Sequence, residues 1–265
     1  MKLQSILSAI GLVLSVLMAS TVNAAIVGVN FVGGQGSQPN GPPAGTGGAG
    51  AVSAAVATGA VPSLNWNNIV GGTGAATALV TDVLGAGGTL THTVTNVWAA
   101  TGSTPAGGGN ATMMSGYLDN MSNDTITVTG LPASVTTFGY SVIVYFNADS
   151  AGVQGYRATD NLANTDIAFG RQVGGAGSNF PLAGPNGFIV STDTTNSGAT
   201  LPANAVLLEG FFGSTLTILG VQGASGDGRV RPNGFQIIGV TIPEPASLSL
   251  LAMGGAALLR RRRTA

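Results

Sequence analysis

Few side chains in this sequence could carry chemistry, and their spacing narrows the choice. His92 is the only histidine, and there is no cysteine. With no HxxE-type spacing near it, a zinc ion would find one obvious ligand. A serine triad would need the same imidazole as its base, and no GxSxG turn is present. His92 therefore reads as a solvent-facing strand residue. Glycoside hydrolysis needs two carboxyl groups across a cleft, and Asp149 with Asp166 or Glu209 could supply them. Nothing else in the sequence favours that chemistry. Oxygen donors crowd at Asp119, Asn120, Asn123 and Asp124, and of these Asp119, Asn123 and Asp124 could hold calcium. The glycine and closing glutamate of an EF-hand loop are missing, and a solvated Asx-rich turn accounts for the same residues.

Three aromatics stand where they could meet a ligand. Trp66 lies among amides in Leu64-Asn65-Trp66-Asn67-Asn68. An exposed indole there would stack on a pyranose while the amides bond its hydroxyls. Alternatively, it covers an edge of the fold with its N–H satisfied. Trp98 closes a strand-like run, and Tyr156-Arg157 sits in a turn-like stretch near acidic loops. These four residues, Trp66, Trp98, Tyr156 and Arg157, are the candidate ligand set.

The elements that must position them read as all-β. Ala25 to Phe31 alternates small and apolar residues and forms a first strand. Residues 33–60, rich in Gly, Pro and Ala with no charge and no aromatic, read as a long mobile loop. Thr89 to Trp98 is one β-branched strand, and Met113 to Met121 is a short helix or a loop. In Tyr140 to Asn147 both faces are apolar, so that strand is central and buried. Asp149 to Asp166 is turn-like. Short strands then follow at Ile167 to Val173, Gly187 to Thr192, Ala205 to Phe212 and Ser214 to Leu219, and Arg229 to Val240 closes the set. Pro232 confines the start of that last strand to an edge or a bulge. Short strands with frequent turn signals and no amphipathic helical runs predict an antiparallel β-sandwich with long Gly-rich loops.

Charge excludes one class of partner. Of ten acids only Glu244 lies outside residues 25–242, and of nine bases Lys2 and Arg260 to Arg263 do. The body keeps nine acids and four arginines, a formal charge of −5, so it has no basic surface for nucleic acid. An anionic polysaccharide would meet the same field unless calcium bridged the two. Without cysteine there is no disulfide framework, so stability must come from a core.

The two ends of the chain read as addresses. Lys2, an apolar run from Ile6 to Met18 and Val22-Asn23-Ala24 form a signal peptide over residues 1–24, cleaved between Ala24 and Ala25. At the other end Pro243-Glu244-Pro245 precedes an uncharged run to Leu259 and then Arg260, Arg261, Arg262 and Arg263. As a helix the run from Ala246 would rise about 21 Å. That is short of a ~30 Å hydrocarbon core, but the arginines can snorkel to the headgroups. The positive-inside rule keeps them cytoplasmic and leaves the body across the membrane.

Over residues 243–265 these three parts in order resemble the PEP-CTERM sorting signal of Gram-negative bacteria that make exopolysaccharide. The resemblance implies an exosortase, an integral-membrane enzyme that cuts near Pro-Glu-Pro, as partner. It implies export across the inner membrane, anchoring by the C-terminus, and a final place at the cell surface or in the extracellular matrix. From Leu64 to Val240 the body also resembles the jelly-roll, sometimes galactose-binding-like, ectodomains that such proteins carry. The fold does not imply the function, and two non-enzymatic roles remain: a carbohydrate-binding module associated with exopolysaccharide or biofilm matrix, and a structural passenger without a specific ligand, with a glycan hydrolase as the less favoured third.

Overall fold

The computed structural model describes residues 25–32, 51–70, 76–94, 97–99, 108–148, 150–174, 180–197, 199 and 201–240. Its first sheet contains β1 (Ile26–Val32), β2 (Asn67–Val70), β8 (Tyr140–Phe146), β11 (Val190–Ser191), β12 (Ala205–Phe211) and β14 (Pro232–Gly239), in the order β11-β12-β8-β14-β1-β2. The second contains β3 (Thr77–Val80), β4 (Ala86–His92), β7 (Thr125–Thr129), β9 (Gly152–Asp160), β10 (Thr165–Gln172) and β13 (Leu216–Gln222), in the order β10-β9-β13-β7-β4-β3. A small pair, β5 (Val97–Ala99) and β6 (Gly116–Leu118), two short α-helices, α1 (Gly108–Met113) and α2 (Ala133–Thr136), and one 3-10 turn (Pro185–Gly187) complete the described elements. Pairing in the two large sheets is antiparallel except at two sheet edges, where β1 runs parallel to β2 and β11 to β12. The strands β1-β14-β8-β12 and β7-β13-β9-β10 follow an order compatible with two nested Greek keys.

Alternation along the strands builds the core. Val27, Val29 and Phe31 of β1, Val142, Val144 and Phe146 of β8, and Phe235 and Ile237 of β14 meet Ile126, Val128, Tyr156, Leu216 and Ile218 of the second sheet. The other face of β8 is also covered. Ile143 and Tyr145 belong to a second apolar cluster with Val52, Trp66, Met113, Met114, Phe188 and Ala205. Both apolar faces of this strand are thus used, and it lies between β12 and β14 as its pattern requires. Pro232 opens β14 at a register shift, where its missing N–H does least harm.

Three sequence expectations need correction. The run from Thr89 to Trp98 is divided between β4 and β5. Tyr156-Arg157 lies not in a turn but in β9, a nine-residue strand. Its alternation is hidden because small or polar Gln154, Ala158 and Asp160 share the inner face with Tyr156. Of the supposed mobile loop, residues 51–60 are held in place. Val52 N donates to Asn68 Oδ1 (2.8 Å), Gly59 N to Asn110 Oδ1 (2.7 Å) and Ala60 N to the Tyr145 hydroxyl (2.8 Å). Residues 33–50, residues 1–24, on which the expected signal peptide falls, and residues 241–265 lie outside the described residues. Among the described residues no helix is long and apolar enough to cross a membrane.

Asp160 ties one end of the sandwich together. Its carboxylate accepts from the amides of Leu162, Asn164, Phe212 and Gly213 (2.8–2.9 Å) and from Asn164 Nδ2 (2.8 Å). Burial alone would raise its pKa. The hydrogen bonds from Asn164 and from the Phe212, Gly213 and Asn164 amides outweigh it and lower the pKa from 3.8 to about 2. A depressed folded-state pKa means stability that is complete above the unfolded value of about 4 and is lost as pH falls through about 2. Asp160→Ala is expected to cost about 2–3 kcal/mol at pH 7, because several amides lose a charged acceptor. In urea titrations at a series of pH values, the deficit should shrink between pH 4 and 2. A deficit unchanged over that window would contradict this role.

Candidate functional site

The residues singled out by chemistry do not converge. Trp66 is buried at 4 % exposure, and its Nε1 donates to the carbonyls of Thr58 (3.2 Å) and Ser63 (3.1 Å). The indole lies flat over Gly28, so closely that a Cβ there would stand 2.7 Å from Trp66 Cδ2. Trp66 is therefore packed and satisfied, with no face left for a sugar. Tyr156 is also buried, inside the main core, while Arg157 points to the exposed face on the other side of the sheet. The two do not form one ligand edge. Trp98 lies on β5 opposite Tyr117, and its side chain lies outside the described ones.

His92 is corrected from solvent-facing to buried. Its Nδ1 is 3.1 Å from the Val94 carbonyl, and its ring meets the Phe31 ring edge-on with centroids 6.0 Å apart. Burial lowers its pKa, with the Val94 hydrogen bond working against that. Of the carboxylates that could form a pair, only Asp166 and Glu209 lie among the described residues. Asp166 spends its oxygens on the amides of Ile167 and Glu209, both at 2.8 Å, and Asp149 lies outside the described residues. A shallow groove of about 370 Å³ is lined by Ala60, Gly184, Pro185, Phe188, Ile189 and Val190, with no acid among them.

The proposed calcium ligands have other partners. Asp119 faces Arg229 Nη1 (3.3 Å) and Arg231 Nε (3.2 Å), and Asp124 accepts from the Thr93 hydroxyl (2.8 Å). Asn123 takes a positive φ in the intervening turn. Among the described residues, no group of three or more acidic or histidine side chains could hold a metal ion. The sequence showed donor density but not the two arginines, which reach Asp119 from more than a hundred residues away.

Those arginines form the most elaborate polar cluster described. The Arg231 side chain is 1 % exposed. Its Nη1 donates to Ser150 Oγ (2.6 Å) and Asp227 Oδ1 (3.2 Å), and its Nη2 pairs with Asp227 Oδ2. Burial pushes the Asp227 pKa up, but hydrogen bonds from Arg231, the Arg229 amide and Ser150 hold it at about 2. Every charge here is answered by another, so the cluster fastens the loop before β14 rather than awaiting a substrate.

One feature of the second sheet was not read from the sequence. Thr165, Thr159, Thr217, Thr127 and Thr91 stand in register across β10, β9, β13, β7 and β4. All five are on the outer face, half-buried or exposed. The hydroxyls of Thr159 and Thr165 are 3.0 Å apart, and those of Thr127 and Thr217 are 3.5 Å apart. Neighbouring strand backbones are spaced about 4.8 Å, and the two hydroxyl pairs lean together within that spacing. Alternating threonines in TLTHTVT and TITVT carry part of this signal, but the cross-strand register does not show in sequence.

Comparison with known proteins bears on the C-terminus alone. Residues 241–263 match the PEP-CTERM protein-sorting motif. No curated protein and no solved structure matches the chain. The motif implies an exported, membrane-associated protein processed by an exosortase-type enzyme.

Proposed function

We propose that this chain is a passenger of the exosortase system. It is exported behind its signal peptide, held by its C-terminal segment with the arginines on the cytoplasmic side, cut near Pro243-Glu244-Pro245 and delivered to the cell surface or extracellular matrix. The match over residues 241–263 carries this reading. Its role there is structural and non-enzymatic, within exopolysaccharide or biofilm matrix. The burial of Trp66 and Tyr156 and the mutual pairing of the charged groups support a stable body over a catalytic one.

A second reading, glycan contact, draws support from the threonine row. Each hydroxyl offers one donor and two acceptor lone pairs, on a face that also carries Arg157 and Arg171. On a body of formal charge −5, a row of hydroxyls suits an uncharged hydroxyl-rich polymer better than an anionic one. Affinity electrophoresis through gels cast with the producing strain's exopolysaccharide tests it. Retardation of the wild type, lost in Thr127→Val/Thr217→Val and unaffected by chelator, is the expected result. Equal mobility in gels with and without polysaccharide would remove glycan binding and leave the structural passenger.

A further inference from the structure

The two ends of the sandwich differ in character. At one end Ala25 and Val240 lie side by side: Ala25 N donates to Ser134 O, Val240 N donates to Gly139 O (2.9 Å), and Gly139 precedes β8. Four connections share this end: β3–β4, β7–β8, β9–β10 and β12–β13. Asp82 links the first to β1 through the Ile26 amide (2.9 Å), and Asp160 links the last two. The tips carry Val83, Leu84, Phe138, Leu162 and Phe212, and Val240 itself is the sixth large apolar side chain. All six are between 46 % and 70 % exposed.

The opposite end has the Asp119, Asp227, Arg229 and Arg231 cluster, and Arg171 is the penultimate residue of β10, toward it. Arg157 lies mid-strand. None of the body's four arginines is at the apolar end. An end that collects exposed valine, leucine and phenylalanine from five separate segments is unlike scattered surface apolar residues, which need no explanation.

The covalent chain says what meets this end. Only Thr241 and Ile242 separate Val240 from Pro243 and the apolar run of the sorting motif. At full extension three residues span about 10 Å, less than the ~30 Å of a hydrocarbon core. We propose that, before sorting, the apolar end of the sandwich docks onto the lipid surface, with Val83, Leu84, Phe138, Leu162, Phe212 and Val240 entering the headgroup and upper acyl region. The contact is apolar rather than electrostatic, since this end offers no cation to anionic headgroups. It holds the Pro-Glu-Pro at the bilayer surface, where an integral-membrane enzyme can reach it. The proposal rests on the anchoring reading given above.

The absence of cysteine makes a direct test clean. Single-cysteine variants Leu84→Cys, Leu162→Cys, Ala224→Cys and Leu251→Cys of the full chain are labelled with an environment-sensitive fluorophore. They are then reconstituted in vesicles of phosphatidylethanolamine and phosphatidylglycerol, with and without doxyl-labelled lipid. Expected are blue-shifted emission and strong doxyl quenching at positions 84, 162 and 251, water-like unquenched emission at 224, and no change with added salt. If 251 is quenched while 84 and 162 stay water-like, docking is overturned and anchoring stands. If 251 is also water-like, both are overturned. Labels at 84 and 162 that are shielded from water but unquenched by doxyl lipid would mean that this end meets protein, and that also overturns the proposal.

Discussion

Replacing Arg231 by alanine is expected to destabilise the body by about 3–5 kcal/mol at pH 7, measured by chemical denaturation. The guanidinium is almost fully buried and answers both Asp119 and Asp227, so its loss leaves the two carboxylates to the half-exposed Arg229 alone. Asp227 is 39 % exposed and water can take over part of its solvation, which places the cost nearer the lower figure. The pH dependence separates charge from packing. In the wild type Asp227 is held at about 2, so its contribution is present above pH about 4 and lost as pH falls through about 2. The gap between wild type and variant should narrow over that window. Arg231→Met, which restores apolar contact without charge, should recover only a minor part at pH 7. Full recovery by methionine would mean that the arginine acts through its stem alone.

Trp66→Ala is the second large effect, at about 3–5 kcal/mol. The indole fills the second apolar cluster above Gly28, with Tyr145 at 6.3 Å between ring centroids, and its N–H satisfies two carbonyls of the 51–70 segment. Hydrogen exchange should therefore rise first at the amides of Thr58 to Ser63, ahead of global unfolding. Gly28→Ala should also destabilise, because its methyl would press into the indole, yet it should cost little in the Trp66→Ala background. Glycan retardation, if present in the wild type, should survive Trp66→Ala under native conditions. Additive costs for the two substitutions would show that the close approach is not what matters at Gly28.

The pair Trp66 and Gly28 shows where sequence reading stops. A tryptophan among asparagines has the composition of a sugar platform, and only the tertiary fold shows that a glycine from β1 lies beneath it. Tyr140 to Phe146 was legible because both faces are apolar, and no tertiary partner was needed to infer burial. β9 was not legible, because Gly155 and Ala158 blur its period and the inner Gln154 is satisfied by the Arg231 amide at 2.9 Å. Asp119 looked like a metal ligand for the same reason. Its partner Arg231 stands 112 residues away, and sequence spacing shows no such pair. The sorting motif, by contrast, was readable in full because it acts as a short linear signal. The apolar end of the body needed the fold, since its six side chains come from connections scattered along the chain.

The intact mass of the protein recovered from the cell surface and medium of an exosortase-bearing host tests the central claim most directly. The account predicts a species that begins at Ala25 and lacks Arg260 to Arg263, with its C-terminus near Pro243-Glu244-Pro245. A variant with alanine at all three positions should remain full-length behind the signal cleavage site and fractionate with the inner membrane. Recovery of both proteins with the same mass in the same fraction would contradict the account.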